Sequence, residues 1–301
     1  MLTMRIALFF ADGRAYFLGI ALVIIGLLVL AAGKKRKPSR RIRIVLAARV
    51  LLIMGVLFIL LSATPAPIWF YGLWFITIVA WLIHQSEPML KREVGIALRI
   101  GSLLFCLAAA GMEIPHRLLP KLEPQGQEKV YVIGDSLSAG MGTEEMTWPK
   151  VLAAGVPVEI VDLSAAGATA GTAMEQAKRV PPGPAIIVIE IGGNDLLGGT
   201  PGHVFENDLR RLLETLSGDS RRLVMFELPL PPFFNKYGRI QRRLASEFDV
   251  ALIPKRILSD VIGSARGTLD GLHLSDDGHR QIAETVRRVV NLPEPRGVPA
   301  S

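Results

Sequence analysis

Residues 130–137 read Val-Tyr-Val-Ile-Gly-Asp-Ser-Leu. Three β-branched residues and a tyrosine end abruptly in Gly134-Asp135-Ser136, the pattern of a strand that delivers a serine into a tight turn. Working outward, the chain alternates. Strands are expected at 129–133, 158–163, 185–191, 223–228 and 250–253. Helices are expected between them at about 146–154, 169–180, 204–216 and 239–248, with a last one from about 275 to 290. That last helix carries Asp276 and Asp277 in its first turn and Arg287 and Arg288 in its last, the charge order its dipole favours. Strands that are apolar at nearly every position are buried on both faces. The fold class is therefore α/β: three layers around a parallel sheet of about five strands.

In such sheets ligands bind beyond the carboxyl ends of the strands. Ser136 follows the first strand, and Gly167 follows the second in Ala165-Ala166-Gly167-Ala168. Asn194 follows the third in Gly192-Gly193-Asn194-Asp195, and Asp270-Gly271-Leu272-His273 precedes the last helix. Acyl transfer needs a nucleophile, a base, a group that orients the base, and donors aimed at the developing oxyanion. Ser136 fits the first role, His273 the second and Asp270 the third. The backbone N–H groups of Ser136 and Gly167 and the side chain of Asn194 fit the fourth. Each residue alone has a plainer reading: Ser136 as a helix N-cap, the Gly-Gly-Asn-Asp stretch as a turn, Asp270 as a cap, His273 as a surface residue. Four such segments in this order, each at the end of an element, favour a site. His203 and His279 are expected on the surface, and His84 and His116 at a membrane interface. The nucleophile elbow of α/β-hydrolases requires glycine two residues after the serine, and this chain has Ser138 there.

The first third of the chain has another character. Four apolar stretches, at about 16–32, 44–63, 67–83 and 94–112, each approach the ~20 residues that cross a hydrocarbon core of about 30 Å. Trp69 and Trp81 lie near the ends of the third, where interfacial belts place such rings. Arg49 and Arg99 lie near span ends, within reach of the basic loops, and read as snorkelling side chains. A cleavable signal is not expected, because Lys34-Lys35-Arg36-Lys37 follows the first stretch instead of a small-residue cleavage site. The basic loops, Lys34 to Arg43 and Lys91-Arg92, are expected to face the cytoplasm. Four spans then put both termini, and the C-terminal domain, on the periplasmic or extracellular side. The expected organisation is a membrane region at 1–113, a linker at 114–127 marked by Pro115, Pro120, Pro124 and Gly126, an α/β domain at 128–293 and a tail at 294–301.

Composition fits that division. The chain is 50% hydrophobic with a mean hydropathy of +0.39, and the excess lies almost entirely before residue 115. Its net charge of +7 is also divided: residues 1–121 hold 15 Lys and Arg against 4 Asp and Glu, residues 122–301 hold 19 against 23. The basic excess flanks apolar segments, and no polybasic stripe argues for nucleic acid. The one cysteine, Cys106, forms no intramolecular disulfide, and no Cys/His cluster resembles a zinc site. No metal and no cofactor are expected. The sequence carries no signal for an oligomeric state.

The four segments together resemble the SGNH (GDSL) hydrolase superfamily. Gly134-Asp135-Ser136-Leu137-Ser138-Ala139-Gly140 is similar to the first block of the thioesterase-I-like esterases, Gly167 to the second, Gly192-Gly193-Asn194-Asp195 to the third, and Asp270-Gly271-Leu272-His273 to the fifth. The resemblance covers about residues 127–293. It implies a flavodoxin-like α/β/α fold, metal-free ester hydrolysis through an acyl-serine, and the roles given above to Ser136, Gly167, Asn194, Asp270 and His273. With the spans, the expected function is a membrane-anchored serine esterase acting on lipid or acylated envelope glycan at the outer face of the cytoplasmic membrane. The alternative is an O-acyltransferase that moves an acyl group onto an envelope glycan with the same residues. An inactive binding module is disfavoured because no member of the constellation is missing.

Overall fold

The computed structural model describes residues 2–33, 38–86, 91–123, 129–142, 146–264, 266–268 and 273–293. They group into two compact units. One is built on Phe9–Arg117 with Leu230–Asn235, the other on Leu118–Pro229 and Lys236–Ser301 with Met1–Leu8.

The first unit follows helix α1 (Leu2–Ala11) with α2 (Arg14–Gly33), α3 (Pro38–Leu61), α4 (Ile68–Ser86) and α5 (Arg92–Glu113). Its core gathers Tyr16, Val23, Leu27, Leu52, Trp74, Trp81 and Cys106. Large apolar side chains also point outward, among them Leu28, Ile53, Ile76, Ile100 and Leu107. Apolar groups on both sides of the helices are what a lipid environment permits. Polar groups collect at one end of the bundle, where α2 and α4 begin and α3 and α5 end. There Arg117 donates to Asp12 O at 2.9 Å, the Tyr71 hydroxyl to Thr64 O at 3.1 Å, and Ser62 pairs with Thr64 at 3.0 Å.

Two expectations are corrected. Among the described residues three helices are long and apolar enough to cross a membrane: Arg14–Ala32, Arg41–Leu61 and Glu93–Glu113. The stretch expected at 67–83 is helical, but its apolar part, Ile68–His84, has 17 residues. At 1.5 Å per residue that is about 26 Å, short of a ~30 Å core. With three such helices the argument from an even number of spans no longer applies. Trp81 is 3% exposed, inside the helical core, whereas Trp69 is 66% exposed; only Trp69 is free to face an interface. The basic residues Lys34–Lys37 lie outside the described residues.

Helices α2 and α3 approach closely at glycines. A Cβ on Gly19 would sit 2.6 Å from Gly55 O, and one on Gly55 would sit 2.8 Å from Gly19 O. Small residues at a membrane helix crossing allow this backbone contact. Gly55→Val should therefore force the pair apart and cost about 1–3 kcal/mol. A thermal shift of the detergent-solubilised chain, compared with Gly72→Val, where an added Cβ meets nothing within 4 Å, checks this. Equal midpoints for the two variants would contradict the packing argument.

The second unit is a five-stranded, all-parallel sheet in the order β2-β1-β3-β4-β5. The strands are β1 (Lys129–Gly134), β2 (Ile160–Asp162), β3 (Ala185–Glu190), β4 (Arg221–Phe226) and β5 (Ala251–Ile253). Helices α6 (Ser136–Ala139) and α7 (Trp148–Gly155) follow β1. Helix α8 (Met174–Ala177) lies between β2 and β3, α9 (Gly193–Leu197) and α10 (Gly202–Leu216) follow β3, and α11 (Asn235–Glu247) follows β4. Helices α12 (Lys255–Gly263) and α13 (Asp276–Val289) close the fold. Every residue of β3 is buried, as a strand covered on both faces requires. Val130, Val132, Ile186, Val188, Val224 and Phe226 share one core with Trp148 of α7, Leu258 of α12 and Ile282 and Val286 of α13. The alternate residues Ile133, Ile187, Ile189 and Met225 are equally buried and face the other way. On that side right-handed crossovers place α8, α10 and α11, and Phe205 meets Tyr237 at 5.1 Å between ring centres.

This strand order decides where a site can lie. The chain runs from β1 outward to β2, then returns past β1 to β3. The crevice beyond the carboxyl ends of β1 and β3 is thus the topological switch point, where open α/β sheets bind ligands. Gly134 pairs in register with Glu190, so the segments that open with Ser136 and Asn194 leave the sheet side by side.

The segment expected as a linker is partly packed. Leu119 and Leu122 lie against the core of the second unit, and Leu122 N donates to Val289 O at 2.7 Å. Pro124 and Gly126 lie outside the described residues, as does the 294–301 tail.

Candidate active site

The Gly-Asp-Ser-Leu-Ser turn is built from its own side chains. Asp135 ends β1 and caps α6: its Oδ1 accepts from Leu137 N at 2.9 Å. That cap sets Ser136 as the first residue of α6, half-buried at the end of the sheet. Ser138 turns inward, fully buried, where its Oγ donates to Glu190 Oε2 and accepts from Trp148 Nε1, both at 3.0 Å. A Cβ on Gly134 would lie 2.4 Å from Ser138 Oγ, so the residue before Asp135 must be glycine for Ser138 to fold back. Gln176 pins the same point: its amide accepts from Gly134 N and donates to Gly134 O, each at 3.0 Å.

Asn194 joins three of the four segments. Gly192, at φ +117°, opens α9 in a conformation that glycine alone adopts readily, and two residues later the Asn194 amide reaches back. Its Nδ2 donates to Asp135 Oδ2 at 3.0 Å and to Ala168 O at 3.1 Å. Ala168 N in turn bonds Ala165 O at 3.1 Å, closing a turn with Gly167 at φ +78°, as a glycine at the third turn position allows. Gly167 is exposed, and Asn194 is half-buried. The adjacent Asp195 is buried and accepts from Ala170 N at 2.8 Å, a second tie between the Gly167 loop and α9. Burial pushes the Asp195 carboxyl above the usual range, and the Ala170 N–H opposes it.

His273 is half-buried and lies near enough to Asp135 that an imidazolium there favours the Asp135 anion. Burial is the larger effect on Asp135 and raises its pKa, against the Leu137 N–H and His273. Asp270 lies outside the described residues. His203 is exposed, as expected. His279 is not: it is 1% exposed, and its Nδ1 accepts from Trp148 N at 3.0 Å. That corrects the surface expectation. The physical reason is that Trp148 N is an orphan donor in the first turn of α7, and the cap residue Thr147 supplies no side-chain bond.

The sequence profile of the GDSL-like Lipase/Acylhydrolase family matches residues 132–281. An arylesterase of Vibrio mimicus is 30% identical over 198 residues, which are 61% of this chain and 92% of that protein. The thioesterase 1/protease 1/lysophospholipase L1 of Escherichia coli (strain K12) is 28% identical over 167 residues, 52% of this chain and 80% of that protein. Among solved structures, the psychrotrophic esterase EstA from Pseudoalteromonas sp. aligns with a TM-score of 0.48 at 20% identity, covering 54% of this chain and 96% of that one. The chain belongs to the GDSL-like lipase/acylhydrolase family. It is a hydrolase of ester bonds.

The GDSL-like match begins inside β1 and ends inside α13, so it contains the end of β1, strands β2 to β5 and the residues Ser136, Gly167, Asn194 and His273. Sequence reasoning missed three residues of this GDSL-like site. Glu190 closes an otherwise apolar strand at 2% exposure, and Gln176 is 4% exposed at the end of β1. The third is His279, which shares the spacing of Ile282, Ala283 and Val286 on the inner face of α13. The available signals were a carboxylate inside an apolar strand, which is rarely buried without a partner, and a helical stripe that included His279.

Proposed function

We propose that this GDSL-like chain is a membrane-anchored serine esterase whose α/β unit works at the outer face of the cytoplasmic membrane on neutral acyl esters, lipid or envelope-glycan-borne. The observation that carries this reading is the Asn194 amide tying Asp135 and Ala168 together at the β1/β3 switch point. It gathers a serine turn, a glycine turn and an amide donor around one point. Ser136 attacks the ester carbonyl while His273, oriented by Asp270, accepts the hydroxyl proton. The oxyanion is met by the backbone N–H groups of Ser136 and Gly167 and by Asn194. His273 then protonates the leaving alcohol, and a water, deprotonated by the same imidazole, releases the acid and restores Ser136.

The membrane part of the reading is supported by three helices of spanning length and by their outward apolar surface. The side is argued from the last of them. Lys91 and Arg92 stand at the N-terminal end of α5, which favours the cytoplasm for that end and the opposite face for the α/β unit beyond its C-terminal end. The mild acidity of residues 122–301 disfavours anionic polymers and ranks neutral esters first. A periplasm-active reporter such as alkaline phosphatase fused after Ser301 should be active, and one fused after Lys91, at the other end of α5, inactive. The reverse pattern would put the chemistry in the cytoplasm and overturn the envelope-substrate reading. Acetyl, butyryl, long-chain and thioester substrates then grade the acyl preference of the solubilised chain. Transfer to an added glycan in preference to water would favour the O-acyltransferase instead.

A further inference from the structure

We propose that Glu190 is a positioning residue of this site: it shares one proton with Asp135, and the carboxyl pair holds the Ser136 turn and the Asn194 amide in register. The inference rests on the catalytic reading of Ser136 and goes beyond it, because the acyl-serine reaction itself gives Glu190 no role.

The geometry is closed on every side. Glu190 sits at the carboxyl end of β3, opposite Gly134 of β1, at 2% exposure. Asp135 N donates to Glu190 O at 3.2 Å and leans toward Oε2 at 3.4 Å. Ser138 Oγ donates to Oε2 at 3.0 Å, and the two carboxyl groups lie close enough that each charge acts on the other. Two carboxylates in contact and out of water do not both ionise; one proton between them turns repulsion into a hydrogen bond. The surroundings decide which group keeps it. Asp135 accepts from Leu137 N and Asn194 Nδ2 and faces His273, all of which favour its anion, while Asp195 of α9 opposes it. Around Glu190 stand Asp135 from the β1–α6 turn and the neutral Ser138 hydroxyl of α6, itself bonded to Trp148 of α7. Burial above all, and then the Asp135 charge, push the Glu190 carboxyl well above the ordinary range. Glu190 is thus the acid and Asp135 the anion, and the chain of bonds runs Trp148–Ser138–Glu190–Asp135–Asn194.

The shared proton gives the site a pH dependence of definite sign. A carboxyl with a raised folded pKa binds more protons folded than unfolded, so its contribution is present at low pH and is lost as pH rises from about 4.5 through the folded value. Once Glu190 ionises, it repels Asp135 and the Asn194 amide loses its anchor. Wild type should therefore show an alkaline fall in kcat on a neutral ester. Glu190→Gln keeps a donor for Asp135 and an acceptor for Ser138 but has nothing to titrate. It should hold kcat within about threefold of wild type near neutral pH and lack that alkaline limb. Glu190→Ala should lose roughly 10²-fold in kcat with KM little changed, the size of effect a small misplacement of reacting groups produces. The full solubilised chains are compared, with near-ultraviolet circular dichroism as the check on folding. If Glu190→Gln falls as far as Glu190→Ala, or keeps the alkaline limb, the shared proton is wrong. Wild-type kcat in a folded Glu190→Ala would equally overturn it. If Glu190→Ala does not fold, the Glu190→Gln profile decides alone. Hydrolysis persisting in Ser136→Ala would sink the catalytic reading itself, an outcome none of the Glu190 variants can mimic.

Discussion

Ser136→Ala should take up no fluorophosphonate and should lose ester hydrolysis by about 10⁶-fold in kcat, the scale seen when the nucleophile of a serine hydrolase is removed. The structure makes this a clean substitution. The Asp135 cap on Leu137 N and the Gly140 N to Ser136 O bond at 3.0 Å use backbone and neighbouring groups, not the Ser136 hydroxyl. Stability should stay within about 0.5 kcal/mol, as for changes that touch no buried contact. Mass spectrometry of the labelled wild-type chain locates the adduct. Robust hydrolysis in the variant, or an adduct on another residue, would remove Ser136 from the chemistry.

The second large effect is expected at Asn194. If its amide meets the oxyanion, Asn194→Ala should lower kcat by about 10²–10³-fold with little change in KM. The resting geometry adds a condition. Both amide hydrogens already have acceptors, Asp135 Oδ2 and Ala168 O, so an incoming oxyanion must share one of them. Asn194→Ala therefore also unties the Gly167 loop, and melting must be measured with the kinetics. A loss of stability with unchanged kcat would make Asn194 a structural tie alone.

Much of this is legible in the residues. The five strands are readable because parallel strands carry continuous Ile and Val, and Ser136, Gly167 and Asn194 are readable because they follow those strands. The features that escape such a reading have separate causes. The helix expected at 169–180 shrinks to Met174–Ala177. Thr169 and Thr172 bond each other's backbone, with Thr169 N to Thr172 Oγ1 at 2.9 Å, a local alternative to helical bonds. Helix α12 has no counterpart among the expected helices, although Leu258 and Val261 show helical spacing after Pro254. The buried carboxylate of Glu190 signals a partner without naming it, and Gln176 has no local signal, because from α8 it bonds the Gly134 backbone 42 residues earlier. The span expected at 67–83 fails on length alone: it is 17 residues as read, and the apolar helix Ile68–His84 has the same 17, short of the ~20 a crossing needs.

The strand order carries a consequence for how the molecule is made. β1 is an inner strand, flanked by β2 and β3, yet it is the first strand of the sheet to leave the ribosome. Its main partner, β3, ends at Glu190, 56 residues after Gly134. At synthesis rates of ~5–20 residues per second, Lys129–Gly134 waits roughly 3–11 s with that edge unpaired. During that interval an apolar strand is open to wrong pairing, and a nascent-chain chaperone has the most to protect. The serine turn, already synthesised, takes its final shape only when the Glu190 and Asn194 segment arrives, so active enzyme should appear late and all at once.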